Sequence, residues 1–251
     1  VTEPWQVIEG EALAALAGMP SGSCEALVTD PPYSSGGQFR GDRAMGVHAK
    51  YVDNRSTSND LAGFSGDNRD QRAYGYWSAL WLSECLRIVR PGGAALVFTD
   101  WRQLPTTVDA FQAGGWVWRG IVPWVKPSHR PRMGGFSSAC EYVVWGTAGP
   151  LDTVDECLSG FVSGLSPRER EHVTQKPLPV MRELVRIARP GGIVLDPFAG
   201  SGTTGVAALV EGRRFVGVEQ HPEHAATARR RCAAAAAGWS DGQSKDTVGL
   251  W

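Results

Sequence analysis

An acid, two prolines and a tyrosine follow one another at Asp30-Pro31-Pro32-Tyr33, directly after the apolar run Ala26-Leu27-Val28-Thr29. These residue types suit work on a conjugated amino group, whose nitrogen is a poor nucleophile because its lone pair is delocalised into the ring. Two acceptors at the amino hydrogens, the Asp30 carboxylate and the Pro31 carbonyl, would draw the nitrogen toward tetrahedral geometry and expose the lone pair. Proline fixes φ and so stiffens the turn that holds that carbonyl. Tyr33 offers a face on which a base removed from a duplex can stack, worth about 1–3 kcal/mol by analogy with single-strand binders. An ordinary strand-ending turn with a half-buried tyrosine accounts for the same four residues equally well, so a second motif has to decide.

That motif is Val194-Leu195-Asp196-Pro197-Phe198-Ala199-Gly200-Ser201-Gly202-Thr203-Thr204-Gly205. Its glycines fit a strand-to-helix turn that lets a ligand approach the backbone, and Glu219 closes the next strand at about the 20-residue distance expected of a ribose-binding acid. The pattern reports adenosine more than nicotinamide. A dinucleotide site usually has its first glycine straight after the strand, whereas Asp196-Pro197-Phe198-Ala199 intervenes here. A carboxylate at Asp196 is unfavourable beside a pyrophosphate and favourable beside the cationic amino-acid end of S-adenosylmethionine. Tight helix-strand packing alone is the structural alternative.

Periodicity and turn signals place strands over 5–9, 26–29, 94–99, 116–125, 141–145, 193–195 and 215–218, mostly separated by helices. Leu178, Met181, Leu184, Val185 and Ala188 give one helix an apolar stripe with Pro177 suited to its first turn, and another helix starts near Pro105 and stops at Gly114-Gly115. Trp77 and Trp81 share a helical spacing that reads as core. Leu86-Arg87-Ile88-Val89-Arg90-Pro91-Gly92-Gly93 is echoed by Val185-Arg186-Ile187-Ala188-Arg189-Pro190-Gly191-Gly192, each a helix end before a strand. Such units imply a mainly parallel sheet with helices on both faces. Segment 126–139 has no helical stripe, so strands 116–125 and 141–145 are expected to be antiparallel neighbours at an edge. The expected fold is α/β, with a mixed seven-stranded sheet carrying one antiparallel edge strand.

At 251 residues the chain is read as a single domain over 1–251, with irregular inserts at 34–74 and 147–171 and a tail at 238–251. No apolar run approaches the ~20 residues of a membrane span and the N-terminal residues lack a targeting pattern, so a soluble cytoplasmic protein is expected. The five cysteines, Cys24, Cys85, Cys140, Cys157 and Cys232, form no C-x-x-C pair, which favours free thiols over a zinc site. A net charge of −1 leaves any polyanion to be held by local basic patches.

The two motifs together resemble those of the amino-group DNA methyltransferases, the N6-adenine and N4-cytosine family, in the permuted order where the catalytic turn precedes the cofactor loop. The resemblance covers most of the chain and implies a three-layer Rossmann-like fold using S-adenosylmethionine. It implies Asp30, Pro31, Pro32 and Tyr33 as the catalytic turn, Asp196 through Thr204 as the cofactor loop and Glu219 as the ribose-binding acid. His172-Val173-Thr174-Gln175-Lys176-Pro177 is similar to the family segment before the cofactor strand, placing Thr174, Gln175 and Lys176 along the methionine end of the cofactor. Ile8-Glu9-Gly10-Glu11-Ala12-Leu13 resembles the family's opening strand and turn, which implies Glu11 near the adenine; a helix-start acid interacting with the dipole is its structural alternative. Asp rather than Ser ahead of Pro-Pro-Tyr tilts the resemblance toward adenine.

Double-stranded DNA is the expected partner. Lys126, His129, Arg130 and Arg132 are read as phosphate contacts, and inserts 34–74 and 147–171 as recognition loops, since no helix-turn-helix or zinc signature supplies base readout. The reading calls for no metal and is compatible with a homodimer. Its competitors are methylation of RNA or of a protein amide, a non-catalytic DNA-binding module and a nicotinamide-dependent dehydrogenase.

Overall fold

Ala26 and Val28 pack into one buried apolar cluster while Leu27, between them, packs into another, so the strand they occupy has both faces covered. Val194 and Leu195 divide in the same way, as do Phe215 and Val216. Period-2 alternation between two cores is what a sheet sandwiched by helices requires. In the computed structural model, which describes residues 3–33, 69–127, 133–152, 157–165 and 176–237, that sandwich is built from eight strands and six helices among the described residues. In chain order they are β1 (Trp5–Glu9), α1 (Ala12–Ala17), β2 (Cys24–Thr29), α2 (Gln71–Ile88), β3 (Val89–Thr99), α3 (Leu104–Ala113), β4 (Val117–Val125) and β5 (Cys140–Thr147). There follow β6 (Val162–Ser163), α4 (Leu178–Val185), β7 (Ile193–Asp196), α5 (Thr203–Val210), β8 (Arg214–Glu219) and α6 (Pro222–Ala236).

The sheet order is β1-β8-β7-β2-β3-β5-β4-β6. Strands β1, β8, β7, β2 and β3 are mutually parallel, and β5 runs antiparallel to both β3 and β4. Helices α4, α5 and α6 contribute Met181, Ala208 and Ala228 to one core; α1, α2 and α3 contribute Leu16, Trp81 and Phe111 to the other. The three-layer α/β expectation is therefore met, with two corrections. There is one strand more than the seven expected, because β6 is a two-residue element paired with Trp124 and Val125, too short to carry a period. The antiparallel strand is not at the edge: β4 and β6 lie outside it.

Chain order moves outward in both directions from the contact of β2 with β7. From β2 it crosses to β3, and from β7 it crosses to β8 on the other side. That contact is a topological switch point, where open α/β sheets form a crevice at the carboxyl ends of their strands. Because β5 is antiparallel, its beginning, at Cys140 and Glu141, lies at the same edge as the ends of β3 and β4.

The echoed segments meet at the opposite end of the sheet. Arg90 makes a two-pronged contact with Glu25 of β2 at 2.6 Å on each prong and reaches Asp152 at 2.9 Å. Its counterpart Arg189 binds the same Asp152 at 2.6 Å and approaches Glu25 at 3.9 Å. Gly92 and Gly191, with φ of 78° and 75°, make the two equivalent turns in the left-handed region that glycine tolerates. In β3 the turn falls inside the strand, where the register against β2 jumps from Cys24–Val89 to Ala26–Ala94.

This arginine clamp gives a testable expectation. Hydrogen bonding to Arg90 holds the Glu25 carboxyl below its ordinary range, so its contribution is present above that range and fades as pH falls. Losing the paired contact in Glu25→Ala should lower unfolding free energy by about 1–2 kcal/mol at neutral pH in urea titrations, and by less at acid pH.

Candidate active site

The last residue of β2 binds the last residue of β7: Thr29 Oγ1 donates to Asp196 Oδ1 at 2.7 Å. Both are buried. This bond joins the strand that leads into Asp30-Pro31-Pro32-Tyr33 to the strand that leads into the glycine loop, so the two sequence motifs emerge side by side at the switch point.

Asp196 organises the loop that follows it. Its Oδ1 also accepts from the Phe198 amide at 3.0 Å, and its Oδ2 accepts from Thr204 Oγ1 at 2.6 Å. Burial pushes the Asp196 carboxyl up to about 6, against the pull of these three donors. The side chain is thus turned into the loop. Phe198 packs between Trp77 and Trp81 of α2, with ring centroids 5.4 and 5.1 Å away, which anchors the loop to the second core as the helical spacing of the two tryptophans foreshadows. Pro197 is buried, and the Ala199 amide bonds to the Val218 carbonyl at 2.9 Å.

Gly200 and Gly202 take φ of 53° and 82°. Gly202 also lies against α6, where a Cβ would meet the Ala228 backbone at 2.9 Å, whereas a Cβ on Gly200 would meet nothing within 4 Å. The outer side of the loop is open there. Arg231 of α6 braces the turn through the Ser201 carbonyl and hydroxyl at 2.7 and 3.0 Å and Thr203 Oγ1 at 3.2 Å. Glu219, at the end of β8, accepts the Gly200 amide on Oε2 and the His221 amide on Oε1, each at 2.9 Å. A carboxylate has about four lone-pair positions, so these amides take two of them, and His224 Nδ1 stands 3.9 Å from Oε1. Glu11 stands at the end of the neighbouring β1 turn, where its Oε2 caps α1 by accepting the Ala14 amide at 2.9 Å; the helix-start reading of this residue describes that contact.

Across the switch point, the Tyr33 hydroxyl donates to Asp30 Oδ1 and accepts from Lys176 Nζ at 2.9 Å. Lys176 Nζ also reaches Asp30 Oδ2 at 2.9 Å and Glu141 Oε2 at 3.0 Å. Burial raises the Asp30 carboxyl above its usual range even though the Lys176 charge and the Tyr33 hydroxyl oppose it. For Glu141 the balance falls the other way: burial would raise it, but Lys176 and Lys126 together bring it to about 2.

Two placements depart from the sequence reading. Lys176, expected along the methionine end of a cofactor, is at the catalytic turn. Lys126, expected on phosphate, has its ammonium on Glu141 and 4.6 Å from the Trp124 ring centroid. Glu141 itself is the residue that sequence reasoning missed. Its signal was an acid opening an otherwise apolar strand that pairs with the strand running into Lys126. Thr174, Gln175, His129, Arg130 and Arg132 lie outside the described residues, as do 34–68 of the first insert, 153–156 and 166–171 of the second, and the tail 238–251.

The buried Asp196 carboxyl makes stability depend on pH in a defined sense. A carboxyl raised in the fold contributes stability below its unfolded value near ~3.9, and loses it as pH rises through about 6. Compared with Asp196→Asn in parallel urea titrations, the wild-type chain should lose relative stability between those two limits and show a constant difference above them.

The family model described as DNA methylase, the N6/N4 methyltransferase family, matches residues 25–156 and 156–230. The type II methyltransferase M.HinfI of Haemophilus influenzae is 26% identical over 256 residues, covering 90% of this chain and 67% of its own. The M1.HpyAVI–SAM complex superposes with a TM-score of 0.64 at 23% identity, over 90% of this chain and 98% of that one. The PvuII DNA methyltransferase, cytosine-N4-specific, gives 0.68 at 16% identity over 90% and 86%. These two solved structures have the same fold, and the family match spans both halves of the site, the catalytic turn and the glycine loop. On that match the chain belongs to the DNA methylase family of N6/N4 methyltransferases.

Proposed function

We propose that this chain uses S-adenosylmethionine to methylate the exocyclic amino group of a DNA base drawn out of the duplex, with adenine N6 the leading target and cytosine N4 the alternative. The observation that carries the reading is the Thr29–Asp196 bond of 2.7 Å, which brings the amino-accepting turn beside the glycine loop at one sheet edge. The residues fit the cofactor. The open side of Gly200 leaves room at the turn, and the Glu219 carboxylate beside it suits ribose hydroxyls as an acceptor. Thr174 and Gln175 are assigned to its methionine end on the family resemblance. When bound, the cofactor supplies a methyl group on a sulfonium.

Asp30 does the work on the acceptor. Its carboxylate and the Pro31 carbonyl each take one amino hydrogen and localise the nitrogen lone pair toward the incoming carbon. The Tyr33 hydroxyl, which bonds to Asp30 in this structure, gives up that place to the base amino group, and its ring serves as the stacking face. Neither acceptor distinguishes adenine from cytosine. The adenine assignment rests on Asp standing ahead of Pro-Pro-Tyr.

DNA is held, on this reading of a single domain over 1–251, by phosphate contacts from His129, Arg130 and Arg132, while the inserts read the bases; the first is shortened to 34–70, since α2 begins at Gln71, and the second to 153–171, since Thr147 belongs to β5 and Asp152 to the arginine clamp. Lys126 drops out of that set because its ammonium is engaged by Glu141.

Incubating the protein with unmethylated DNA and labelled S-adenosylmethionine, then resolving the nucleosides by mass spectrometry, should show N6-methyladenine. Detection of N4-methylcytosine alone would reassign the base. Asp30→Ala should lower kcat by about 10²-fold or more while cofactor binding stays within about threefold. Transfer at the wild-type rate by that variant would overturn the assignment of the turn. Because burial raises the Asp30 carboxyl, the acid limb of kcat should lie above the usual aspartate value near ~3.9, activity falling as pH drops through it.

A further inference from the structure

Methyl transfer needs an acceptor at Asp30, but the site holds more charge than that. Lys126, Glu141, Lys176 and Asp30 form a continuous chain of ion pairs across β4, β5, the residue two before α4, and the catalytic turn. Two cations and two anions leave it with no formal net charge. Lys176 is 8% exposed, and its ammonium faces the Tyr33, Phe98 and Trp124 rings at 5.1, 5.1 and 5.9 Å from their centroids. An ammonium has three N–H donors. The ammonium donates to the Tyr33 hydroxyl at 2.9 Å and stands in ion-pair contact with Asp30 Oδ2 at 2.9 Å and Glu141 Oε2 at 3.0 Å. Its near neighbours are thus groups of the catalytic turn and Glu141.

We propose that Lys176 is a positioning residue for Asp30, and that Glu141, braced by Lys126, sets where Lys176 stands. The inference rests on the function proposed above and assigns Lys176 to the catalytic turn instead of the cofactor. The physical need is specific. A buried carboxyl drifts toward its neutral form, which exposes an O–H where the base offers its own N–H. Lys176 counters that drift and fixes the rotation of the carboxylate through Oδ2, leaving Oδ1 to exchange the Tyr33 hydroxyl for the amino hydrogen. Glu141 matters because the target nitrogen becomes cationic as the methyl group arrives. An unbalanced lysine 2.9 Å from the acceptor would oppose that charge, and the second carboxylate cancels it. The charged groups facing Asp30 are therefore Lys176 and Glu141, with Lys126 behind Glu141 and Asp196 across the switch point.

Removing one member of a buried ion-pair chain risks unfolding, so the test uses a neutral pair of changes. The double variant Lys176→Met/Glu141→Gln keeps Asp30 and Lys126 as a balanced couple. It should lose roughly 10- to 100-fold in kcat, shift the acid limb of the kcat–pH profile upward, and bind S-adenosylmethionine in calorimetry within about twofold of wild type. The single Lys176→Arg variant should recover part of kcat and return the limb toward its wild-type position. Cofactor affinity falling in proportion to kcat would overturn the proposal and return Lys176 to the methionine end. So would a double variant with wild-type kcat and an unmoved limb. A wild-type chain that methylates no DNA would bring down the underlying function as well, whereas an active wild type with an indifferent double variant defeats only the positioning role.

Discussion

Only two residue pairs hold β2 in register with β7, Ala26 with Val194 and Leu27 with Leu195, and one buried side-chain bond, Thr29 to Asp196, extends the contact past the end of the ladder. Everything at the site depends on that short seam. It is the place where strand order reverses, so the loops on either side diverge over opposite halves of the sheet and leave a crevice between them. A shift of one residue along it would turn Leu27 and Leu195 toward the wrong core and carry Asp196 away from Thr29, because side chains alternate faces with a period of two. The two cores therefore enforce the register, and the register sets the spacing between the acceptor turn and the cofactor loop.

The reversed direction of β5 has a chemical consequence. In an all-parallel sheet the catalytic edge receives only strand ends. Here β5 begins at that edge, and its second residue, Glu141, is paired with Trp124, two residues before Lys126. Antiparallel pairing thus places an acid from a strand start beside a lysine just past a strand end. Lys176, arriving from ahead of α4, closes the chain onto Asp30. A buried carboxylate is a poor resident of such a crevice by itself, and the fold supplies its counter-charge in Lys176, which is paired in turn with Glu141 and, through it, with Lys126.

What the sequence revealed follows the range of its signals. Local signals were legible: the apolar runs of β2 and β7, the stripe of α4, the glycine turns after Ala199 and at the two Arg-Pro-Gly-Gly echoes, and the core spacing of Trp77 and Trp81. The family motifs stood out for the same reason, since each is a contiguous run. Contacts between distant segments were not legible. Glu141 looked like an ordinary strand-opening acid because its partners are 15 residues away in one direction and 35 in the other. Lys126 looked like one more basic residue in a basic loop, and only the pairing of β4 with β5 turns it inward. The strand β6 escaped because two residues cannot display a period, and with it the antiparallel strand lost its edge position.

Asp196 shows how one residue type can be read correctly for its position and differently for its role. From sequence its value lay in a negative charge offered to a cationic ligand. In the fold both oxygens are engaged by the protein, and burial raises the carboxyl to about 6 against three donors. Its work is first mechanical: it ties β2 to the glycine loop and to the first turn of α5 through Thr204. Glu219, by contrast, binds only main-chain amides on its two oxygens, those of Gly200 and His221, with His224 Nδ1 at 3.9 Å. The division is a physical one. The acid at the seam joins two strands and a helix through side-chain bonds, and the acid one strand further out holds the turn through main-chain amides.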